Sequence, residues 1–180
     1  YDRDCQLQSV CESVATQGVH LAWQPEGALI TSVDSVLTQQ QPQQQQVVPQ
    51  VIFFERNGLR HGEFQLKRQN AVVLDISWNA DSELLAVVLA FRPSPDQPLF
   101  TGRVVELWHR CNYYWYLKHT VAVNSLSAAA KCSDSPGSAL LNPCVHVKWD
   151  PEDAMKLYVV SNDGCVRLVN FSGVSFFFFS

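Results

Sequence analysis

The feature that most constrains this chain is a recurrence. Val19 to Trp23, Val73 to Trp78 and Val145 to Trp149 are short alternating segments that each end in tryptophan. Each is followed by a turn-forming stretch, Gln24-Pro-Glu-Gly27, Asn79-Ala-Asp-Ser82 and Asp150-Pro-Glu-Asp153, and then by a second apolar run, Ala28 to Val33, Leu84 to Phe91 and Lys156 to Val160. A second series runs in phase with the first. Tyr1-Asp-Arg, Phe54-Glu-Arg and Trp108-His-Arg place an aromatic two residues before an arginine, at successive separations of 53 and 54 residues. A fixed period of some tens of residues marks a repeat architecture, in which each unit buries its apolar face only against a neighbour.

The content of each unit says which architecture. The strong segments are short, alternate with period two and are rich in Val, Ile, Phe, Tyr and Trp, which argues for strands and against helices. Third strands are expected over Val51 to Arg56 and Arg103 to Arg110. Tight turns at Asn57-Gly58 and Cys111-Asn112 then lead to fourth strands near Arg60 to Leu66 and Tyr113 to Val121. The unit is a four-stranded antiparallel meander. Trp23 and Trp78 are 55 residues apart, and removing a loop of 12 residues, Gln39 to Gln50, leaves about 43, inside the WD40-type range of about 40 to 45. The expected class is therefore all-β, a WD40-like β-propeller fragment of four-stranded antiparallel blades. A β-sandwich explains alternation and turns equally well, but not two aromatic series recurring in phase.

This reading divides the chain into the end of a preceding blade (1–13), a blade with a Gln-rich loop at 39–50 (14–68), a second blade (69–123), a flexible connection (124–142), a partial blade (143–171) and an apolar tail (172–180). Both ends are expected to be cut, since the chain starts at Tyr1 rather than Met and finishes in Phe176-Phe-Phe-Phe-Ser180. Propellers close with four to eight blades, so these pieces cannot close alone and would expose apolar faces. The glutamine run has no apolar side chain to bury and is expected to be a solvated insertion.

Composition excludes several function classes. With 47% apolar and 17% charged residues the chain is too apolar for disorder, and no apolar run approaches the roughly 18 to 20 residues that span a bilayer. Thirteen basic against 17 acidic side chains, with no basic run longer than Lys67-Arg68, leave no stripe to neutralise phosphates. The six cysteines are scattered, none in a C-x-x-C pair, and no signal peptide precedes them. Reduced thiols in the cytosol or nucleus are expected, and no metal site.

No nucleophile elbow, glycine-rich phosphate loop, H-E-x-x-H motif or metal-spaced carboxylate group is present. No catalytic, cofactor-binding or metal residue is assigned. Gly137-Ser138 lies in a Ser/Pro-rich loop without the strand-to-helix context of a nucleophile. Asp75, between Leu74 and Ile76, is expected opposite them, as a solvated residue or an acceptor for a neighbouring turn. Arg56 and Arg110 are expected to bond carbonyls or pair with acids such as Glu55 and Glu106. His61 reads as a polar residue where a strand begins. Tyr113-Tyr-Trp-Tyr116 is dense enough for recognition, but alternation sends Tyr113 and Trp115 to one face and Tyr114 and Tyr116 to the other, so packing between blades would use both.

These residues carry a resemblance. Val51-Ile-Phe-Phe-Glu-Arg-Asn-Gly-Leu-Arg-His-Gly-Glu-Phe64, then Leu74-Asp-Ile-Ser-Trp-Asn-Ala-Asp-Ser82, Val105-Glu-Leu-Trp108 and Asn112-Tyr-Tyr-Trp-Tyr-Leu-Lys118 resemble the N-terminal propeller region of the Elongator complex protein 1 (IKAP) family. Leu21 to Gly27 and Trp149-Asp-Pro151 fit the flanking blades, so the resemblance covers roughly residues 1 to 160 and ends before the Phe-rich tail. It implies a non-catalytic scaffold within a complex that starts the carboxymethyl-type modification of tRNA wobble uridines. It also implies a second propeller subunit and a catalytic radical-SAM/acetyltransferase subunit as partners. Acetyl-CoA, S-adenosylmethionine and the iron-sulfur cluster belong to the catalytic subunit, so no cofactor is expected here. Transfer RNA is met only through the assembled complex, and homodimerisation only through a C-terminal helical region that this sequence lacks. The expected location is cytoplasmic, and nuclear as well. The alternative is a generic WD40-like interaction module unrelated to tRNA, which does not require Phe53 to Gly58 or the Tyr/Trp-rich strand. A propeller enzyme is disfavoured by the lack of convergent acid, base or nucleophile motifs.

Overall fold

The computed structural model describes residues 20–41, 44–92, 102–123, 145–161 and 166–172. They form eleven strands and no long helix: β1 (Leu21–Trp23), β2 (Leu29–Gln41), β3 (Gln44–Glu55), β4 (Arg60–Gln65), β5 (Ala71–Trp78), β6 (Leu84–Phe91), β7 (Gly102–Cys111), β8 (Tyr114–Ala122), β9 (Val145–Trp149), β10 (Lys156–Ser161) and β11 (Val166–Asn170). Three antiparallel sheets result, in the orders β1-β2-β3-β4, β5-β6-β7-β8 and β11-β10-β9. Sequential neighbours pair throughout, as in the meander expected for each repeat. The described residues fall into two compact units, divided between Ala71 and Val72. No helix among them is long and apolar enough to cross a membrane.

In the first unit, β3 is the buried spine. Val51 and Ile52 are fully buried, Phe53 and Phe54 nearly so, and Phe53 stacks on Phe64 of β4 at 6.0 Å between ring centroids. The Asn57-Gly58 turn forms where the sequence places it, with Gly58 at φ +85° and the Asn57 carboxamide oxygen accepting the Leu59 N–H at 3.0 Å. The glutamine segment departs from expectation. It is not an unpaired insertion: β2 and β3 continue as one long hairpin, with Val36 opposite Val48, Gln39 opposite Gln45 and Gln41 opposite Gln44. Ladder hydrogen bonds are made by the backbone, so a run without apolar side chains still extends an existing pair of strands.

The second unit holds the other two sheets. β6 is buried from Leu84 to Ala90, on both of its faces, which is why it reads as an unbroken apolar run rather than an alternation. The β7–β8 turn is shifted by one residue from the sequence reading. Cys111 pairs with Tyr114, and Asn112 and Tyr113 occupy the turn at φ +50° and +69°, the left-handed pair that matches strand twist in a two-residue hairpin. β9, β10 and β11 supply the three strands expected of the last blade. The segments 1–13 and 124–142 lie outside the described residues, as does the tail beyond Ser172.

The two sheets of this unit meet across one apolar core. Leu84, Ala86 and Val88 of β6, Val105 and Leu107 of β7, and Val147, Trp149, Leu157 and Val159 of β9 and β10 form it, with Phe171 closing one side. Trp149 packs on Phe171 at 6.1 Å, and His119 of β8 meets the same ring edge-on at 5.7 Å. Burying these side chains from both sheets stabilises the contact by roughly 1.5 to 3 kcal/mol for each large one.

Candidate functional site: the joint between two blades

Around that core the polar side chains of β5 reach across to the next sheet. The Asp75 carboxylate accepts the Val147 backbone N–H at 3.0 Å with one oxygen and its neighbour Ile76 N–H at 2.9 Å with the other. The Trp149 indole N–H donates to the Ser77 carbonyl at 2.9 Å. The Asn79 carboxamide is almost fully buried; its oxygen accepts the N–H groups of Glu83 and Leu84 at 3.0 and 2.9 Å, and its nitrogen reaches the Ala154 carbonyl at 3.4 Å. One residue therefore pins the β5–β6 turn and ties it to the adjoining sheet.

Strict alternation does not hold along β5. Burial alternates over Ala71 to Val73 and again over Ile76 to Trp78, but shifts phase at Leu74 and Asp75, which are both half-buried. Leu74 packs against the shared core while Asp75 bonds to Val147. The two residues expected on opposite faces thus serve the same joint.

The matching turn after Trp149 is organised by Asp150, whose carboxylate accepts the N–H groups of Glu152 and Asp153 and the Tyr158 hydroxyl at 2.9 to 3.1 Å. Those donors, the Glu152 N–H foremost, hold the Asp150 carboxyl below the usual carboxylate range, and the same contact raises the Tyr158 hydroxyl. Asp153 is lowered by its pairing with Lys156 at 2.8 Å, which in turn raises the ammonium.

The remaining sequence candidates do not converge. His61 is exposed, 3.3 Å from Glu55, in an open groove with Ala28, Leu29, Arg56 and Asn57. The expected acid partners of the arginines are engaged elsewhere. Glu55 accepts from Asn57 and pairs with His61, while Glu106 accepts the Trp108 indole N–H at 3.1 Å. Arg56 is exposed, and Arg110 lies 5.9 Å from the Tyr113 ring. Of the aromatic cluster only Trp115 packs inward, edge-on to Trp78 at 5.6 Å; Tyr113, Tyr114 and Tyr116 are exposed. The turn itself explains the difference, because Tyr113 sits in it rather than in the strand. Gly137-Ser138 lies outside the described residues, as do all cysteines except Cys111, a half-buried free thiol. Among the described residues no group of three His, Cys, Asp or Glu side chains could hold a metal ion.

A small cleft beside the joint is lined by Asn79, Asp81, Glu83, Leu84, His109, Lys118 and Met155. His109 is buried there, and its pKa is lowered by that burial and by Lys118, with Glu83 acting in the opposite sense. His109 shares this cleft with the charged side chains of Asp81, Glu83 and Lys118.

The joint is a contact between the sheets of successive sequence repeats. The model of the family described as "ELP1 first N-terminal beta-propeller" matches residues 1–152. The chain belongs to that family. Among relatives of this ELP1 propeller, Elongator complex protein 1 of Mus musculus is 38% identical over 162 residues, 89% of this chain and 10% of the relative. Elongator complex protein 1 of Saccharomyces cerevisiae is 34% identical over 173 residues, 96% of the chain and 10% of the relative. A putative Elongator complex protein 1 of Xenopus laevis is 34% identical over 163 residues. The chain spans about a tenth of the length of these relatives. The blade-like sheets are those of an ELP1 β-propeller, as the sequence resemblance implied.

Sequence reasoning missed Asn79 and the Trp149 indole as cross-sheet donors. A signal existed: a polar residue able to cap a turn, Gln24, Asn79 or Asp150, follows each repeat-ending tryptophan.

Proposed function

We propose that this chain is a propeller part of an Elongator subunit, acting as a non-catalytic scaffold that helps hold a second propeller subunit and a catalytic radical-SAM/acetyltransferase subunit. On this reading the complex installs the carboxymethyl-type side chain on tRNA wobble uridines, with tRNA met through the assembled complex, in the cytoplasm and also in the nucleus. The observation that carries the reading is the ELP1 propeller match over residues 1–152. The site geometry supports it, because Asp75, Asn79 and Trp149 spend their hydrogen bonds on joining sheets rather than on a shared cavity. Mass spectrometry of wobble nucleosides after depletion of the full-length gene product, with re-expression as control, tests it. Loss of the carboxymethyl-derived uridines, restored by re-expression, is expected; unchanged nucleosides under verified depletion would overturn it.

A further inference from the structure

Asn57-Gly58 is the one asparagine-glycine pair in the sequence, and every other asparagine precedes a residue that carries a Cβ. An asparagine followed by glycine is chemically labile, because no side chain hinders the next backbone nitrogen from approaching the carboxamide carbon. The pair forms the tip of the β3–β4 hairpin, where Asn57 is exposed and Gly58 takes φ +85°.

The closed hairpin holds both reacting groups apart. The Gly58 N–H donates to the Glu55 carbonyl at 2.9 Å, so the nitrogen that would attack is engaged with the backbone. The Asn57 carboxamide is held at both ends: its oxygen accepts the Leu59 N–H at 3.0 Å, and its nitrogen donates to the Glu55 carboxylate at 3.2 Å. The other Glu55 oxygen lies 3.3 Å from His61 Nδ1. All of these contacts are local and at the solvent-facing end of the hairpin, the kind of structure that opens without unfolding the sheet behind it.

We propose that Asn57 is a conformationally gated modification site, protected while the turn is closed and deamidated when it opens. In the open turn the Gly58 nitrogen bonds to Asn57 Cγ and gives up its proton, the Cγ–Nδ2 bond breaks, and Nδ2 takes up a proton and leaves as ammonia. Water then opens the cyclic imide, at Cγ to give aspartate or at the Asn57 backbone carbonyl to give isoaspartate. Water is consumed and ammonia released, with no change of oxidation state. Neither product closes the turn as before. Aspartate replaces the Nδ2 donor with a second carboxylate facing Glu55. Isoaspartate adds a backbone carbon inside the loop that sets Phe54 opposite Arg60, so the pairing there loses its register.

The test is peptide mapping by mass spectrometry of the full-length gene product, incubated at neutral pH either native or in concentrated urea. In urea, conversion of amide to acid at Asn57 is expected to outrun that at every other asparagine of this segment. In the native protein it should be slower by about tenfold or more, because only the minor opened population reacts. Phe64→Ala removes the ring stacked on Phe53 at 6.0 Å and touches neither Asn57 nor Gly58. Whether it loosens the hairpin or unfolds it, it should raise the native rate about threefold or more and leave the urea rate unchanged. A native rate equal to or above the urea rate would overturn the inference. So would a Phe64→Ala protein that converts no faster than its parent under native conditions, or a urea rate at Asn57 no higher than at the other asparagines.

Discussion

Removing the Asp75 carboxylate should cost far more than its half-exposed position suggests. One oxygen satisfies the N–H of Val147, a residue with no exposed surface, and the other satisfies the adjacent Ile76 N–H. Asp75→Ala leaves the Val147 donor without its acceptor across the sheet, and an unsatisfied buried donor costs about 1 to 3 kcal/mol. With the local Ile76 bond lost as well, at about 0.5 to 1.5 kcal/mol less solvent compensation, a total near 2 to 3 kcal/mol is expected. For a chain of this length that is a fall in Tm of about 4 to 12 °C. Asp75→Asn keeps one oxygen for Val147 and should lose about 1 kcal/mol. The control is Arg60→Ala, which breaks the exposed Arg60–Glu63 ion pair and should change stability by under about 0.5 kcal/mol. Urea unfolding of the four proteins side by side measures all of this. An Asp75→Ala protein within about 0.5 kcal/mol of the parent, the scale of ordinary surface substitutions, would refute the reasoning.

Three further outcomes are expected. Gly102→Ala places a Cβ 2.5 to 2.8 Å from the Phe91 ring and should destabilise by about 1 to 3 kcal/mol, whereas Gly62→Ala meets nothing within 4 Å and should not overpack; thermal melts distinguish the two. Tyr113→Gly relieves a bulky residue at φ +69° and should stabilise by about 0.5 to 1 kcal/mol, read from the urea midpoint. Because the His109 pKa is lowered in the folded chain, the unfolded chain binds more protons between the folded value and 6.5; stability is complete above 6.5 and declines as pH falls through that window, and His109→Gln should flatten the decline in urea midpoints.

Much of the fold was legible because a repeat writes its signal several times. Trp23, Trp78 and Trp149 each end a first strand, and the turn and apolar run after each mark where β2, β6 and β10 begin, with β6 and β10 also ending within a residue of the expected place and β2 running on to Gln41. What the sequence hid was set by backbone geometry rather than by side-chain pattern. The glutamine hairpin pairs through peptide groups, which no periodicity of side chains reveals. The phase shift at Leu74 and Asp75 turns on a local departure that simple alternation cannot contain. The joint itself was half legible. Asp75 read as an acceptor for a neighbour, but its partner lies 72 residues away, and only the packed sheets bring Val147 to it.

On the proposed scaffold reading, this segment serves its complex through the joint and not through any reacting group. The most direct measurement is the level of carboxymethyl-derived wobble uridines in depleted cells re-expressing the full-length product with paired substitutions. His61→Ala with Arg56→Ala, which removes two of the exposed polar side chains of the open groove, is expected to restore the modification fully. Asp75→Ala with Trp149→Ala is expected to restore it only in proportion to the subunit that stays folded. Loss of the modification with the first pair, at normal abundance of the subunit and its partners, would contradict the account.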